Sequence, residues 1–249
     1  MRSFLLHSCR GYSLRIVFDA SKFAAQCSEG CEAFIEARWQ EKLKSNPRIF
    51  NGSKFRLHMF HIDDDERVCT LFLGLSDYRS YLGTNAAATV GFPYDDRHLS
   101  NILGVECIVR TSDDRLVVLK RSSEVADYPG ACVFPGGHPE PSRVASHLNA
   151  ESIAAEIRSA ALQELLEETG IPPSSISEYQ LCVVQLDSLR MNKPDIVFFG
   201  RTSLSSEEVL EVYSTAKDGF ESTSILFLSN EDVASEKFVP SQFLSVIPP

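Results

Sequence analysis

The sequence predicts an α/β fold, a mixed sheet with helices on both faces. Three observations point to it. Strand-like apolar runs alternate with helical stretches along most of the chain. A length of 249 residues with 43% hydrophobic content is enough to bury a substantial core. A long helical pattern at about 150–169 carries its own start and stop signals: Asn149 as N-cap, then Gly170 and Pro172 beyond the end.

In chain order, strands are expected near 12–18, 54–62 and 67–74, around a helix near 29–45. In that helix, "EGCEAFIEARWQEKLKSNP", Ala33, Phe34, Ala37, Trp39 and Leu43 form an apolar stripe, and Pro47 follows its end. Trp39 reads as core. "GTNAAATVGFPYDDRH" (83–98) is rich in small residues, Gly and Pro, and marks a junction. It divides the chain into a smaller α+β amino-terminal region, 1–97, and a second domain, 98–249. "GVECIVR" and "RLVVLKR" are two strands about the turn "TSDD", and "ACVFPGGHPEP" is a short strand running into a turn. After the long helix come strands near 180–187 and 195–202, a helix near 205–216, a strand at 223–229 and a short helix.

The net charge of −10 argues against sequence-independent nucleic-acid binding, which rests on basic phosphate contacts. An anionic ligand would need local basic residues or a metal cation. The seven cysteines are odd in number and scattered, with neither a secreted framework nor zinc spacing, so they read as reduced thiols. No apolar run suits a signal peptide or a membrane span, and the expectation is a soluble cytoplasmic protein without membrane contact. Oligomeric state is not legible.

The chemistry concentrates in "LQELLEETGI" (162–171). Glu164, Glu167 and Glu168 stand at i, i+3 and i+4 and project from nearly one helix face, although like charges one turn apart repel. Upstream, "VFPGGHPEP" offers Gly136 and Gly137, which permit a positive-φ turn and close approach of backbone amides to an anion. A glycine turn feeding a carboxylate-lined helix suits Mg²⁺ held against a diphosphate, since Mg²⁺ takes oxygen ligands and keeps some for phosphate and water. A cation resolves the repulsion.

These residues resemble the Nudix hydrolase family, whose motif ends Arg-Glu-apolar-x-Glu-Glu-x-Gly-apolar. "ELLEETGI" (164–171) matches that ending, and "PGG" with Glu140 matches its entry. The likeness covers roughly residues 100–235 and implies a Nudix α/β/α sandwich with a mixed sheet. Two departures stand out. Gln163 occupies the place of the family's Arg, and the span from Gly137 to Gln163 is about twelve residues longer than usual. Counted back from the helix, the first Glu of the motif falls on Ala155, with Glu156 adjacent either as a substitute or as a solvated residue. "SKFRLH" (53–58), "LGLSDYRSYLGTN" (73–85) and "PGGHPEP" (135–141) are similar to the UDP-glucose diphosphatase branch of the family and its plant-type relatives.

That resemblance implies Mg²⁺-dependent hydrolysis of UDP-glucose, and of UDP-galactose, to UMP and a hexose 1-phosphate, with Mn²⁺ as a substitute cation and a small nucleotide sugar as partner. It implies Glu164, Glu167 and Glu168 as metal ligands and catalytic groups, and the loop residue Glu221 as candidate base. Arg121, ending its strand ahead of the glycine turn, suits a bidentate grip on a diphosphate or a structural ion pair. Gly137 would approach the same diphosphate. Arg56, Tyr78 and Asn85 are candidate walls of a uridine pocket; the plainer reading is that "YRSYLGTN" caps and packs a short helix. His138 reads as a turn residue. Coenzyme A hydrolysis and a non-catalytic nucleotide-binding module are the competing functions.

Overall fold

The computed structural model describes residues 4–122, 130–144, 147–217 and 222–235, with 239, 243, 245 and 247. An eight-stranded mixed sheet dominates it. β1 (Phe4–Ser8), β9 (Ile176–Asp187), β10 (Lys193–Thr202), β5 (Gly104–Arg110), β6 (Leu116–Arg121) and β11 (Ser222–Leu228) follow one another across it. Within this sheet, among the described residues, β5 and β10 run parallel and the remaining pairs antiparallel.

The middle of this sheet is split. β5 and β6 pair at Arg110–Leu116 and then part. Two short strands fill the gap: β7 (Cys132–Val133) pairs with β6, and β8 (Gly136–Gly137) pairs with β5. Between them the Pro135 carbonyl accepts the Cys107 N–H at 2.8 Å. The expected glycine turn is therefore a piece of sheet. Neither Gly136 nor Gly137 has positive φ, so glycine is required there for close approach and not for backbone handedness.

A second sheet takes β2 (Ser13–Phe18), β4 (Val68–Asp77) and β3 (Ser53–Asp63) in that order. Helix α1 (Glu29–Ser45) begins on the Ser28 cap, and α2 (Tyr78–Gly83) on the Asp77 cap. Trp39 packs with Tyr81, Leu82 and Ile102, as core. The long helix α3 (Ala150–Thr169) starts in a reciprocal capping box between Asn149 and Ser152 and stops at left-handed Gly170, φ 77°. Its buried residues Ile153, Ile157, Ala160, Ala161 and Leu165 recur at helical spacing, and each large one contributes about 1.5–3 kcal/mol of burial. They share one core with Val105 and Phe198 of the large sheet and with Ile16, Phe55 and Leu71 of the small one. α4 (Ser206–Tyr213) and α5 (Asn230–Ala234) complete the described elements, both opened by capping boxes.

Strand pairing and core packing both cross residue 97. β1, residues 4–8 of the amino-terminal region, is an edge strand of the large sheet through five register pairs with β9, Phe4–Asp187 to Ser8–Val183. The small sheet and α3 bury a common cluster. Sequence reasoning saw no strand at 4–8, because its partner lies far along the chain and the run itself is short.

Candidate active site

The glycine strand and α3 meet edge to face. Successive residues of a strand point to opposite sides, and Gly137 turns its α-carbon toward α3. A Cβ at Gly137 would overlap the Glu164 carboxylate, so that carboxylate occupies the space a side chain would fill. One residue earlier, the Gly136 N–H donates to Glu168 Oε2 at 2.9 Å. Glu168 is 5% exposed, and its preceding helix turn places Glu164 beside it. Gly136 thus spends its amide on a carboxylate of the helix, where the sequence suggested that the amide would face an anionic ligand.

Glu167 is arranged differently. Its Oε1 accepts from Gln163 Nε2 at 2.8 Å and from Lys217 Nζ at 2.9 Å. The Lys217 and Gln163 donors hold its carboxyl below the ordinary value. Gln163, where the family motif has Arg, thus supplies a hydrogen bond, while the positive charge comes from Lys217 beyond α4. Nothing in the sequence singled out Lys217.

Carboxylate oxygens are the donors a hard divalent cation takes. Among the described residues no three His, Cys, Asp or Glu side chains gather into a metal-holding group. Glu164 and Glu168 lie together at the glycine strand, while Glu167 is directed to Lys217. Two carboxylates fit Mg²⁺, which commonly takes one or two from protein and the rest from water and phosphate. The glycine strand orients Glu164 and Glu168, and Glu167 stands alongside, bonded to Lys217 and Gln163.

Other expected residues fall elsewhere. Glu221 lies outside the described residues. Arg121 ends β6 half-buried, its N–H bonded to the Ala131 carbonyl at 2.8 Å. Arg56 is 4% exposed, and its guanidinium donates to the Phe23 and Leu99 carbonyls at 2.9 and 3.2 Å. Asn85 is fully buried; its amide donates to Asn101 Oδ1 and the Arg190 carbonyl, and its oxygen accepts the Asn101 N–H at 2.8 Å. Both are internal ties. Tyr78 opens α2, half-buried, with its ring 6.0 Å from that of Tyr81.

Glu156 is neither solvated nor beside Glu164. It is buried, it accepts the Glu140 N–H at 3.0 Å, and burial raises its carboxyl pKa. Glu140 in turn pairs with Lys54 of β3 at 2.6 Å, binding the segment after the glycines to the small sheet. His138 has a buried Nε2 without a hydrogen-bond partner, and burial, with Lys193 and Lys54 nearby, keeps its pKa well below the ordinary value. Lys193 pairs with Asp195 over Gly104, where a side chain would collide with both.

A split mixed sheet with a glycine strand facing a carboxylate helix defines an α/β protein with two carboxylates paired at its sheet–helix boundary. Residues 101–242 match the model of the NUDIX domain. The chain belongs to the Nudix hydrolase family. It is 34% identical over 231 residues to Nudix hydrolase 9 of Arabidopsis thaliana, covering 82% of this chain and 74% of that protein. To the uridine diphosphate glucose pyrophosphatase NUDT22 of Bos taurus it is 33% identical over 224 residues, covering 82% and 77%. A MutT protein from Methanosarcina mazei Go1 is a solved structural neighbour at 17% identity and TM-score 0.35, covering 57% of this chain and 87% of that one. Among the described residues no helix is long and apolar enough to cross a membrane.

Proposed function

We propose that this chain hydrolyses the diphosphate of UDP-glucose, and of UDP-galactose, to UMP and a hexose 1-phosphate with Mg²⁺, for which Mn²⁺ substitutes. The observation that carries the reading is the placement of Glu164 and Glu168 against consecutive residues of one glycine strand. The name of the Bos taurus relative supports the substrate. Bound Mg²⁺ supplies neutralisation of the charge that develops on phosphate oxygens.

The chain's own groups have separable tasks. Glu164 and Glu168 hold the cation, with their orientation set by the glycine strand. Gln163 and Lys217 orient Glu167 at the edge of the site. Arg121 grips the diphosphate, and Glu221 orients or deprotonates the attacking water. The region before residue 98 helps to build the pocket that selects uridine. Attack at phosphorus leaves the sugar–oxygen bond intact, whereas a glycosidase needs two carboxylates flanking a sugar carbon.

The test is an assay with Mg²⁺ of UDP-glucose, UDP-galactose, ADP-ribose and coenzyme A, with products separated by chromatography. UMP and glucose 1-phosphate are expected from UDP-glucose. Free glucose with UDP would overturn the reaction, and a preference for coenzyme A would overturn the substrate.

A further inference from the structure

The lengthened segment between the glycine strand and α3 builds a second concavity. Arg143 ends the short 3₁₀ turn Pro141–Arg143 and faces Glu156, Ser159, Ala160 and Gln163 across a groove of about 340 Å³. Those four residues are spaced i, i+3, i+4 and i+7, so they form one face of α3. The groove has fixed walls: the Glu140 N–H holds the Glu156 carboxyl, and Lys54 holds Glu140. Its last residue, Gln163, directly precedes Glu164 and is bonded to Glu167. The groove therefore lies on the helix that carries the carboxylates, and its Gln163 end is tied to Glu167 by a hydrogen bond.

The lining has a definite chemical character. Arg143 offers guanidinium N–H groups; Gln163 keeps its carbonyl and the N–H not given to Glu167, and Glu156 the oxygen not bonded to the Glu140 N–H. Ser159, whose hydroxyl donates to the Glu156 carbonyl at 3.1 Å, keeps its acceptor lone pairs, with Ala160 as the single apolar side chain. None of these residues offers a ring on which a base could stack, and the Glu156 carboxylate opposes a phosphate. Mixed donors and acceptors suit hydroxyl groups, each of which donates and accepts. The volume lies at the lower end of the range of small-ligand sites, about 300–1,000 Å³.

We propose that this groove is the glycosyl subsite, which takes the hexose half of a nucleoside diphosphate sugar while the diphosphate lies at the glycine strand. The proposal rests on the function proposed above and adds the residues that read the sugar. It also gives the extra length in the motif a purpose, since Arg143 comes from that segment.

The experiment compares UDP-glucose with the methyl ester of UDP, which keeps the diphosphate linkage and lacks the sugar. Arg143→Ala and Ser159→Tyr should raise KM for UDP-glucose about tenfold, with kcat within about twofold and KM for the methyl ester unchanged. An equal rise for both substrates, or none for either, overturns the subsite. A second readout needs no turnover. In amide NMR spectra of the whole unaltered chain, glucose 1-phosphate should shift Ser159 and Gln163, and inorganic phosphate should not. Those shifts in a chain that cleaves no nucleotide sugar would keep the subsite and remove the proposed function. Shifts with inorganic phosphate alone, or none with glucose 1-phosphate, overturn the subsite whatever the activity.

Discussion

The Glu164 carboxylate lies in the space that a side chain at position 137 would occupy, so Gly137 and Glu164 form a matched pair across the sheet–helix boundary. The neighbouring glycine is constrained by something else. A Cβ at Gly136 would collide with the main-chain carbonyl of Val105 in β5. One glycine makes room for a movable side-chain end, the other for fixed backbone.

The two alanine substitutions should therefore part company. Gly137→Ala should displace Glu164 and lower turnover by two orders of magnitude or more, with thermal stability nearly kept. Gly136→Ala should disturb the β5–β8 ladder and lower stability by about 1–3 kcal/mol. Denaturant melts beside initial rates check both. Loss of stability in the Gly137 variant with activity intact would reverse the assignment.

The carboxylates should rank by what they touch. Glu164→Gln and Glu168→Gln should each lower activity by about two orders of magnitude or more, while Glu167→Gln, whose partners are Gln163 and Lys217, should lose less. Removing divalent cation with a chelator should abolish activity in the unaltered chain, and added Mg²⁺ should restore it. Equal losses across the three variants would place Glu167 on the cation with the others.

Asn85 and Arg56 should behave as ties within the fold. Asn85→Ala leaves the Asn101 N–H and the Arg190 carbonyl without their partner in a buried setting, which should lower stability by about 1–3 kcal/mol. Arg56→Ala should act similarly, through the Phe23 and Leu99 carbonyls. A raised KM with unchanged melting behaviour would return either residue to the wall of a uridine pocket.

Local signals in the sequence reached some parts of this structure and not others. Helix α3 was legible from end to end, because Asn149, the apolar spacing and Gly170 all act within a few residues of where they stand. The clustering of Glu164 and Glu168 was legible for the same reason. β1 was not, since its evidence is a register with residues 183–187. The glycine pair looked like a turn because two glycines have no strand propensity; β8 exists only because β5 and β6 part and leave hydrogen-bonding edges to fill. Asn85 and Arg56 resembled ligand-binding residues by type. Their burial against main-chain partners at distant positions carries no local signature.

His138 gives the last prediction, a pH dependence of stability. In the unfolded chain its imidazole takes up a proton near the ordinary value of 6.5, whereas in the folded chain burial, with Lys193 and Lys54, keeps it neutral to well below that value. Below about pH 6.5 the unfolded state thus binds a proton that the folded state refuses, and stability falls as pH falls, by at most about 1.4 kcal/mol per pH unit from this group. Above pH 6.5 the contribution is fully present. His138→Gln removes the titrating group but keeps a polar side chain, so its stability should fall less steeply between about pH 6.5 and 5. Urea unfolding of both proteins at half-unit pH steps measures the two slopes. Identical slopes would mean that the folded chain protonates His138 as readily as the unfolded one.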